Sequence, residues 1–160
     1  MKLRAAVAAI VVTVGGVTAT SQAAVVVRPE VATFPTAGCV EAANSYRIAR
    51  GLRPLQADSR LQLAAQRHAT YQATIRRMTH TGSGRTSPGQ RMRAAGYRWS
   101  AWTENVAYGY NSCAEVMRAW MKSSGHRANI LNRRMVHVGF GASTGSNGLV
   151  YWTMDEARPG

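Results

Sequence analysis

Apolar and polar positions recur along this chain with two different periods, and the changes of period mark out its elements. From Cys39 to Arg50 the pattern is helical, with Val40, Ala43, Arg47 and Ile48 about one turn apart. Gly51 and then Pro54 stop it. Asn44 and Arg47 lie three apart and share one face of that helix, so both a buried polar network and solvent are open to them. Asp58 caps a longer helix through Leu61, Ala64, Ala65, His68, Tyr71 and Ile75, which the pattern ends near Met78. His68 falls on the apolar stripe, where a core histidine with one hydrogen-bond partner is expected. Ser87-Pro88-Gly89-Gln90 is a capping box with proline at the first helical position, opening a short helix that Gly96 ends. Ser112-Cys113-Ala114-Glu115 opens another, with Val116, Met117, Trp120 and Met121 on its core face. Ser123-Ser124-Gly125 before a short apolar run predicts one more helix start, with a serine oxygen as cap and His126 in the first turn.

The period of two appears in the second half. Thr103 to Gly109 alternates as a strand. Met135 to Ser143 alternates again, Thr144 to Gly148 is a turn cluster, and Leu149 to Met154 is β-rich, which together predict an antiparallel hairpin. Helices and a few strands in this order suggest a sheet covered by helices rather than a parallel βαβ sheet. The stretch Thr79-His80-Thr81-Gly82-Ser83-Gly84 breaks both patterns and reads as an exposed loop, a common carrier of chemistry on a rigid scaffold. Its Gly82-Ser83-Gly84 lacks the spacing of a nucleophile elbow, so no serine hydrolase follows.

The N-terminus changes the setting of these elements. Met1 to Arg4 is basic, Ala5 to Val17 is small and apolar, and Ser21-Gln22-Ala23 suits a cleavage site, so residues 1–23 are expected as a secretory signal peptide. The apolar run is shorter than the ~18 residues of a spanning helix, and no other segment is long enough. Residues 24–38, with Pro29 and Pro35, read as an irregular leader, and 39–157 as one domain. A secreted or periplasmic monomer is expected. In an oxidising compartment the two cysteines, Cys39 and Cys113, favour a disulfide over a catalytic thiol, worth roughly 2–4 kcal/mol for a loop of this length.

Charge adds an attraction without a target. Lysine and arginine total 20 against 7 acidic residues, a formal +13, and losing Lys2 and Arg4 with the signal leaves +11. Such a surface is drawn to anionic lipid or cell-envelope polyanions. With no basic run interleaved with aromatics, specific nucleic-acid binding is not expected.

Few residues remain for acid–base or metal chemistry. Asp58 and Glu115 are committed as caps, Glu30 lies in the leader, Glu41 favours a helix dipole, and Asp155 and Glu156 are assigned to a ragged C-terminus. Glu104 has no structural duty by this reading, and His80 and His126 occupy loop or turn settings. These three are the candidates for a divalent-metal site, zinc being the example, and for catalysis by a histidine base with an orienting acid. Neither HExxH nor a four-cysteine zinc pattern is present.

The chain resembles bacterial members of the CAP superfamily (cysteine-rich secretory proteins, antigen 5, pathogenesis-related 1; SCP-like domains). The resemblance is carried by Asn44-Ser45-Tyr46-Arg47, Gly51-Leu52-Arg53-Pro54-Leu55, His80-Thr81-Gly82-Ser83 and Glu104-Asn105-Val106-Ala107. It continues in Trp120 to Leu131, Val138-Gly139-Phe140-Gly141 and Tyr151-Trp152-Thr153. It implies an α+β fold, a three-layer α-β-α sandwich with a small, mainly antiparallel sheet and a cleft. In the family that cleft is lined by two histidines and two acids, and His80, Glu104 and His126 stand at matching positions. The fourth position departs: Ser123, beside Lys122, stands where many relatives carry glutamate. The resemblance implies a binding module for a divalent cation, a lipid or a cell-envelope ligand, with a hydrolase of peptide or cell-wall material as the alternative.

Overall fold

The layering follows from where side chains are missing. In this computed structural model, which describes residues 32–160, the strand β4 (His137–Thr144) carries glycine at 139 and 141 on one face and Val138, Phe140 and Ala142 on the other. The helix α2 (Ser59–Ile75) lies directly on the glycine face. A Cβ at Gly139 would come within 2.1 Å of the Leu61 and Gln62 backbone, and one at Gly141 within 2.3 Å of Ala65 and Gln66. No residue with a side chain allows that approach.

The sheet runs β1 (Ala32–Thr33), β4, β5 (Val150–Pro159), β3 (Trp99–Tyr108), antiparallel throughout, with β2 (Gln56–Ala57) added in parallel to β4. Because β1 and β2 pair only with the two ends of β4, the middle of that edge would be left open. Two α2 side chains close it: Phe140 N–H donates to Gln62 Oε1 (3.1 Å) and Ala142 N–H to Gln66 Oε1 (3.2 Å). Buried backbone donors must be paired somewhere, and here a helix does what a missing strand would do.

The opposite face of the sheet is covered by α1 (Cys39–Ile48), α4 (Cys113–Lys122) and α5 (Ser124–Ile130). Trp120, Trp152, Met154, Phe140 and Val138 form the larger core there. The short α3 (Pro88–Ala94) packs beside α2 against β3, around Leu61, Met92 and Tyr97. This is the α-β-α sandwich that the residue patterns and the resemblance imply. Cys39 and Cys113 form a disulfide between the first residues of α1 and α4, with Cα atoms 5.0 Å apart and 74 residues between them in sequence. Among the described residues no helix is long and apolar enough to cross a membrane. The expected signal peptide, residues 1–23, and the start of the leader lie outside the described residues.

Several boundaries move for identifiable reasons. α2 stops at Ile75, short of Met78, because Arg76 turns left-handed (φ 52°) and the Arg76 and Arg77 N–H groups fold back on the Ala73 and Gln72 carbonyls. Ser123 precedes α5 but its side chain makes no cap bond. Glu115 accepts from Asn111 N–H rather than closing the box at Ser112, whose hydroxyl does accept from Glu115 N–H. The largest correction is at the C-terminus. Asp155 and Glu156 are not ragged; β5 is paired on both sides as far as Ala157, so both acids are fully buried.

That burial creates a charged interior on the α5 side. Arg47 is buried and donates to the carbonyls of Arg53 (2.9 Å), Ile130 (2.7 Å) and Asn132 (3.0 Å), pinning the end of α5 to α1. Asn44 brackets Leu55, accepting its N–H at 2.7 Å and donating to its carbonyl at 2.9 Å. The buried network is therefore where this pair goes. Glu156 accepts from the Thr103 hydroxyl at 2.8 Å while its other oxygen finds no partner. Burial pushes its pKa up from 4.5 to about 7, against the opposing pull of the Thr103 bond and the Arg47 charge.

Two outcomes are expected. Gly139→Ala should destabilise the fold by at least about 3 kcal/mol in urea unfolding, since backbone rather than a flexible side chain would have to yield; a loss below about 1 kcal/mol would contradict the α2 contact. Glu156 holds its proton more tightly folded than unfolded, so its contribution is full below the ordinary carboxyl range and is lost as pH rises through about 7. Stability of the wild type relative to Glu156→Gln should therefore fall between about pH 4.5 and 7, by on the order of 3 kcal/mol. A pH-independent difference would count against a protonated Glu156.

Candidate functional site

β3 has one free edge, and the candidate residues reach it from both helical layers. Glu104 is on β3 itself, His80 follows α2 in one layer, and His126 lies on α5 in the other. The loop that carries His80 is fixed from below. His68 Nε2 donates to the Thr79 carbonyl at 2.7 Å, and Thr79 N–H donates to Gln72 Oε1 at 3.1 Å. Gln72 in turn donates to the Thr153 hydroxyl at 3.0 Å, tying the loop entry to β5. His68 is thus a core histidine with a positioning duty, and burial lowers its pKa, keeping it neutral.

Glu104 is buried, and both of its oxygens are engaged. Oε1 accepts from His80 Nδ1 at 2.7 Å and Oε2 accepts from Arg91 Nη2. Arg91 also donates to the carbonyls of His80 and Thr86, each at 3.0 Å, so one guanidinium clamps the carboxylate and the loop together. A carboxylate can only accept, so the proton of neutral His80 sits on Nδ1 and its lone pair on Nε2. The His80 side chain is 56% exposed.

His126 is held through its backbone rather than its ring. Asn105 Nδ2 donates to the His126 carbonyl (3.1 Å), and Asn129 donates to both Asn105 Oδ1 (2.8 Å) and the Glu104 carbonyl (3.3 Å). The imidazole packs against Trp120, ring centroids 6.5 Å apart. Partial burial lowers its pKa, and protonation of the nearby His80 would lower it further, so the ring is neutral at pH 7. Glu104 therefore touches His80 directly, while Asn105 and Asn129 link its strand to the helix of His126.

The metal expectation meets one limit. Among the described residues no cluster of three or more His, Cys, Asp or Glu side chains is arranged to hold a metal ion. With the Glu104 oxygens engaged, a cation here would rest on two imidazoles, with the carboxylate orienting one of them.

Sequence reasoning missed Arg91 and the two asparagines as site residues. Asn129 was accessible, since it lies three residues from His126 on the same helix face. Asn105 follows Glu104 in an alternating strand and so must face the other layer. Nothing local singles out Arg91, which meets Glu104 only because α3 packs over β3. A third carboxyl, Asp155, stands directly across the ladder from Glu104, buried and with neither oxygen partnered. Burial, reinforced by the Glu104 charge, holds its pKa well above the usual carboxylate range, so Asp155 is neutral.

Comparison with known proteins agrees with this architecture. An outer surface protein of Borrelia burgdorferi superposes with a TM-score of 0.73 at 19% identity, over 82% of this chain and all of that one. An extracellular SCP-domain protein of Bacillus anthracis str. Ames gives 0.67 at 20% identity, over 75% of this chain and 39% of that one. Both likenesses are of fold. In sequence, the uncharacterized protein YkwD of Bacillus subtilis (strain 168) is 36% identical over 102 residues, which are 64% of this chain and 40% of that protein. The model of the CAP family, the cysteine-rich secretory protein family, matches residues 40–155, and the chain belongs to that family.

Proposed function

We propose that this is an exported CAP-domain binding module whose cleft takes a divalent cation between His80 and His126, with Glu104 orienting His80, and that it works at the cell envelope. The observation that carries this is the pair of bonds on Glu104. Arg91 and His80 fix the carboxylate from either side, and in the neutral tautomer that donates from Nδ1 to Glu104 the lone pair of His80 lies on Nε2 of a half-exposed side chain. An imidazole whose remote nitrogen donates to a carboxylate is a familiar arrangement for a metal ligand. His126, kept neutral by partial burial, supplies a second lone pair. Two imidazoles suit zinc-like ions better than magnesium or calcium, which favour oxygen. Zinc sites ordinarily draw on three or four protein groups, so this site would leave positions open to water or a bound ligand. Export is supported by the basic-apolar N-terminal pattern and by the disulfide.

The hydrolase alternative gains little. Acid–base work at the cleft needs a carboxyl free to exchange a proton with substrate, and Glu104 is committed on both oxygens. Ser123 occupies the place where a second cleft acid would be expected from the resemblance, and it lines a cavity together with His126 without a carboxylate to offer.

Calorimetric titration with zinc at pH 7.5 should give one site per chain in the wild type and none in His80→Ala/His126→Ala. Glu104→Gln should bind roughly 10–100-fold more weakly while far-UV circular dichroism stays native. Binding should fade as pH drops through the imidazole range, because a protonated ring has no lone pair to give. Superimposable titrations for the wild type and the double variant would end this reading.

A further inference from the structure

Three cavities adjoin one another through shared lining residues, reaching from the α2 side of the β3 edge, which Tyr151 faces, to the side of α4 and α5 that holds His126. The middle one, about 260 Å³, is floored by Val106 and Trp120 and reaches His126 and Ser123. It shares Met78 and Tyr108 with a second of about 360 Å³, which Arg76, Arg77 and Leu149 enclose. It shares Tyr110 and Ala119 with a third of about 580 Å³, lined by Glu115, Arg118 and Lys122. The result is one long groove with an apolar, tyrosine-bearing middle and two cations at each end.

The cations are uncommitted. Among the described residues the ion pairs are Arg60–Asp58, His80–Glu104 and Arg91–Glu104, and none involves Arg76, Arg77, Arg118 or Lys122. All four are exposed. The one acid in the groove, Glu115, accepts from the Asn111 N–H at 2.9 Å and keeps its charge, so the end with Arg118 and Lys122 carries a smaller excess of positive charge than the end with Arg76 and Arg77. Three exposed apolar side chains meet in the groove: Tyr108 is 51% exposed, Met78 43% and Leu149 38%, although Tyr108 stacks on the buried Tyr151. A soluble surface keeps such side chains in water at a cost, and a patch of them rimmed by unpaired charge marks a binding face.

We infer that this groove binds an extended anionic glycan. Cations at both ends require negative charge at both ends of the occupant, which a polymer supplies and a single small anion does not. Tyrosine presents an apolar face with a polar tip, which suits a sugar ring with its apolar C–H face and peripheral hydroxyls. An acyl chain is a poorer match, since the most capacious end of the groove is lined by charged side chains. An exported, disulfide-bonded domain meets envelope glycans before it meets nucleic acid. The inference does not need the cation: of the proposed cation site's residues only His126 lines the groove, and the binding is to be measured in EDTA.

The test is calorimetry at low salt, with EDTA, using oligogalacturonate as the anionic glycan and polyglutamate, neutral dextran, oligothymidylate and phosphatidylglycerol vesicles as comparators. Oligogalacturonate should bind, dextran should not, and added salt should weaken the complex. Arg76→Ala/Arg77→Ala and Arg118→Ala/Lys122→Ala should each weaken it by about tenfold or more, whereas Arg133→Ala/Arg134→Ala, an equal loss of charge outside the groove, should change it by less than about twofold. Tyr108→Ala, which removes a half-exposed ring stacked on Tyr151, should leave far-UV circular dichroism native and cost about three- to tenfold for oligogalacturonate and nothing for polyglutamate. Equal losses from all three double variants would reduce the effect to general charge and overturn the assignment. So would a Tyr108 variant that binds oligogalacturonate normally, or tighter binding of vesicles, polyglutamate or oligothymidylate than of the glycan.

Discussion

The contact on which the rest of the molecule depends is the seat of α2 on the two glycines of β4. It fixes the helix at a depth that an ordinary strand face would forbid, and at that depth Gln62 and Gln66 reach the unpaired edge of β4. One helix thus supplies both a layer of the sandwich and the hydrogen bonds of an incomplete strand neighbour. The consequence extends two turns along. His68 and Gln72 lie on the same helix, and their bonds to Thr79 set where the following loop begins. Were α2 raised by the width of a methyl group, Thr79 would lose those anchors and His80 its approach to Glu104. The register between a helix and a strand therefore becomes the geometry of a cleft some distance from it.

Charge inside the molecule is arranged with the same economy. β5 brings two carboxyls into the interior, and neither has a dedicated ion-pair partner at hydrogen-bonding distance. Glu156 faces Arg47 and the α5 layer, Asp155 faces Glu104 and the α2 layer, as alternation along the strand requires. Burying two bare anions would be prohibitive, and the raised pKa of each shows how the fold avoids it: the proton stays. Arg91 and Arg47, by contrast, each find several oxygens at once. The guanidinium fork suits that role, since a single group can hold two or three segments of chain in register.

How much of this was legible beforehand depended on whether the information was local. The helices that start with Asp58, Ser87 and Ser112 could be read because capping is a short-range matter of side chain and nearby N–H. The hairpin of β4 and β5 could be read from alternation and a turn cluster. The two-residue strands β1 and β2 could not, since they exist only where β4 offers a partner. The misplacement of Asp155 and Glu156 has the same root. Two acids near the end of a chain look solvated until one knows that their strand has neighbours on both sides. At the site, elimination singled out Glu104, His80 and His126 as candidates because each lacked a local duty, but it could not point to Arg91, whose only relation to Glu104 is through the packing of α3 on β3.

The local charge around Glu104 also bears on what kind of cleft this is. The carboxyl nearest in the ladder is Asp155, which burial keeps protonated, and Ser123 rather than an acid stands at the end of α4. The neighbourhood thus carries one carboxylate, balanced by Arg91, with His80 leaning on its other oxygen. A carboxylate so held is well suited to keep an imidazole in one tautomer and one orientation, and poorly suited to pick up and release protons during turnover. On the proposed reading the two imidazoles would supply the lone pairs for a cation, His80 with its tautomer set by Glu104 and His126 with its pKa lowered by partial burial. That reading asks Glu104 to orient a ligand rather than to exchange protons.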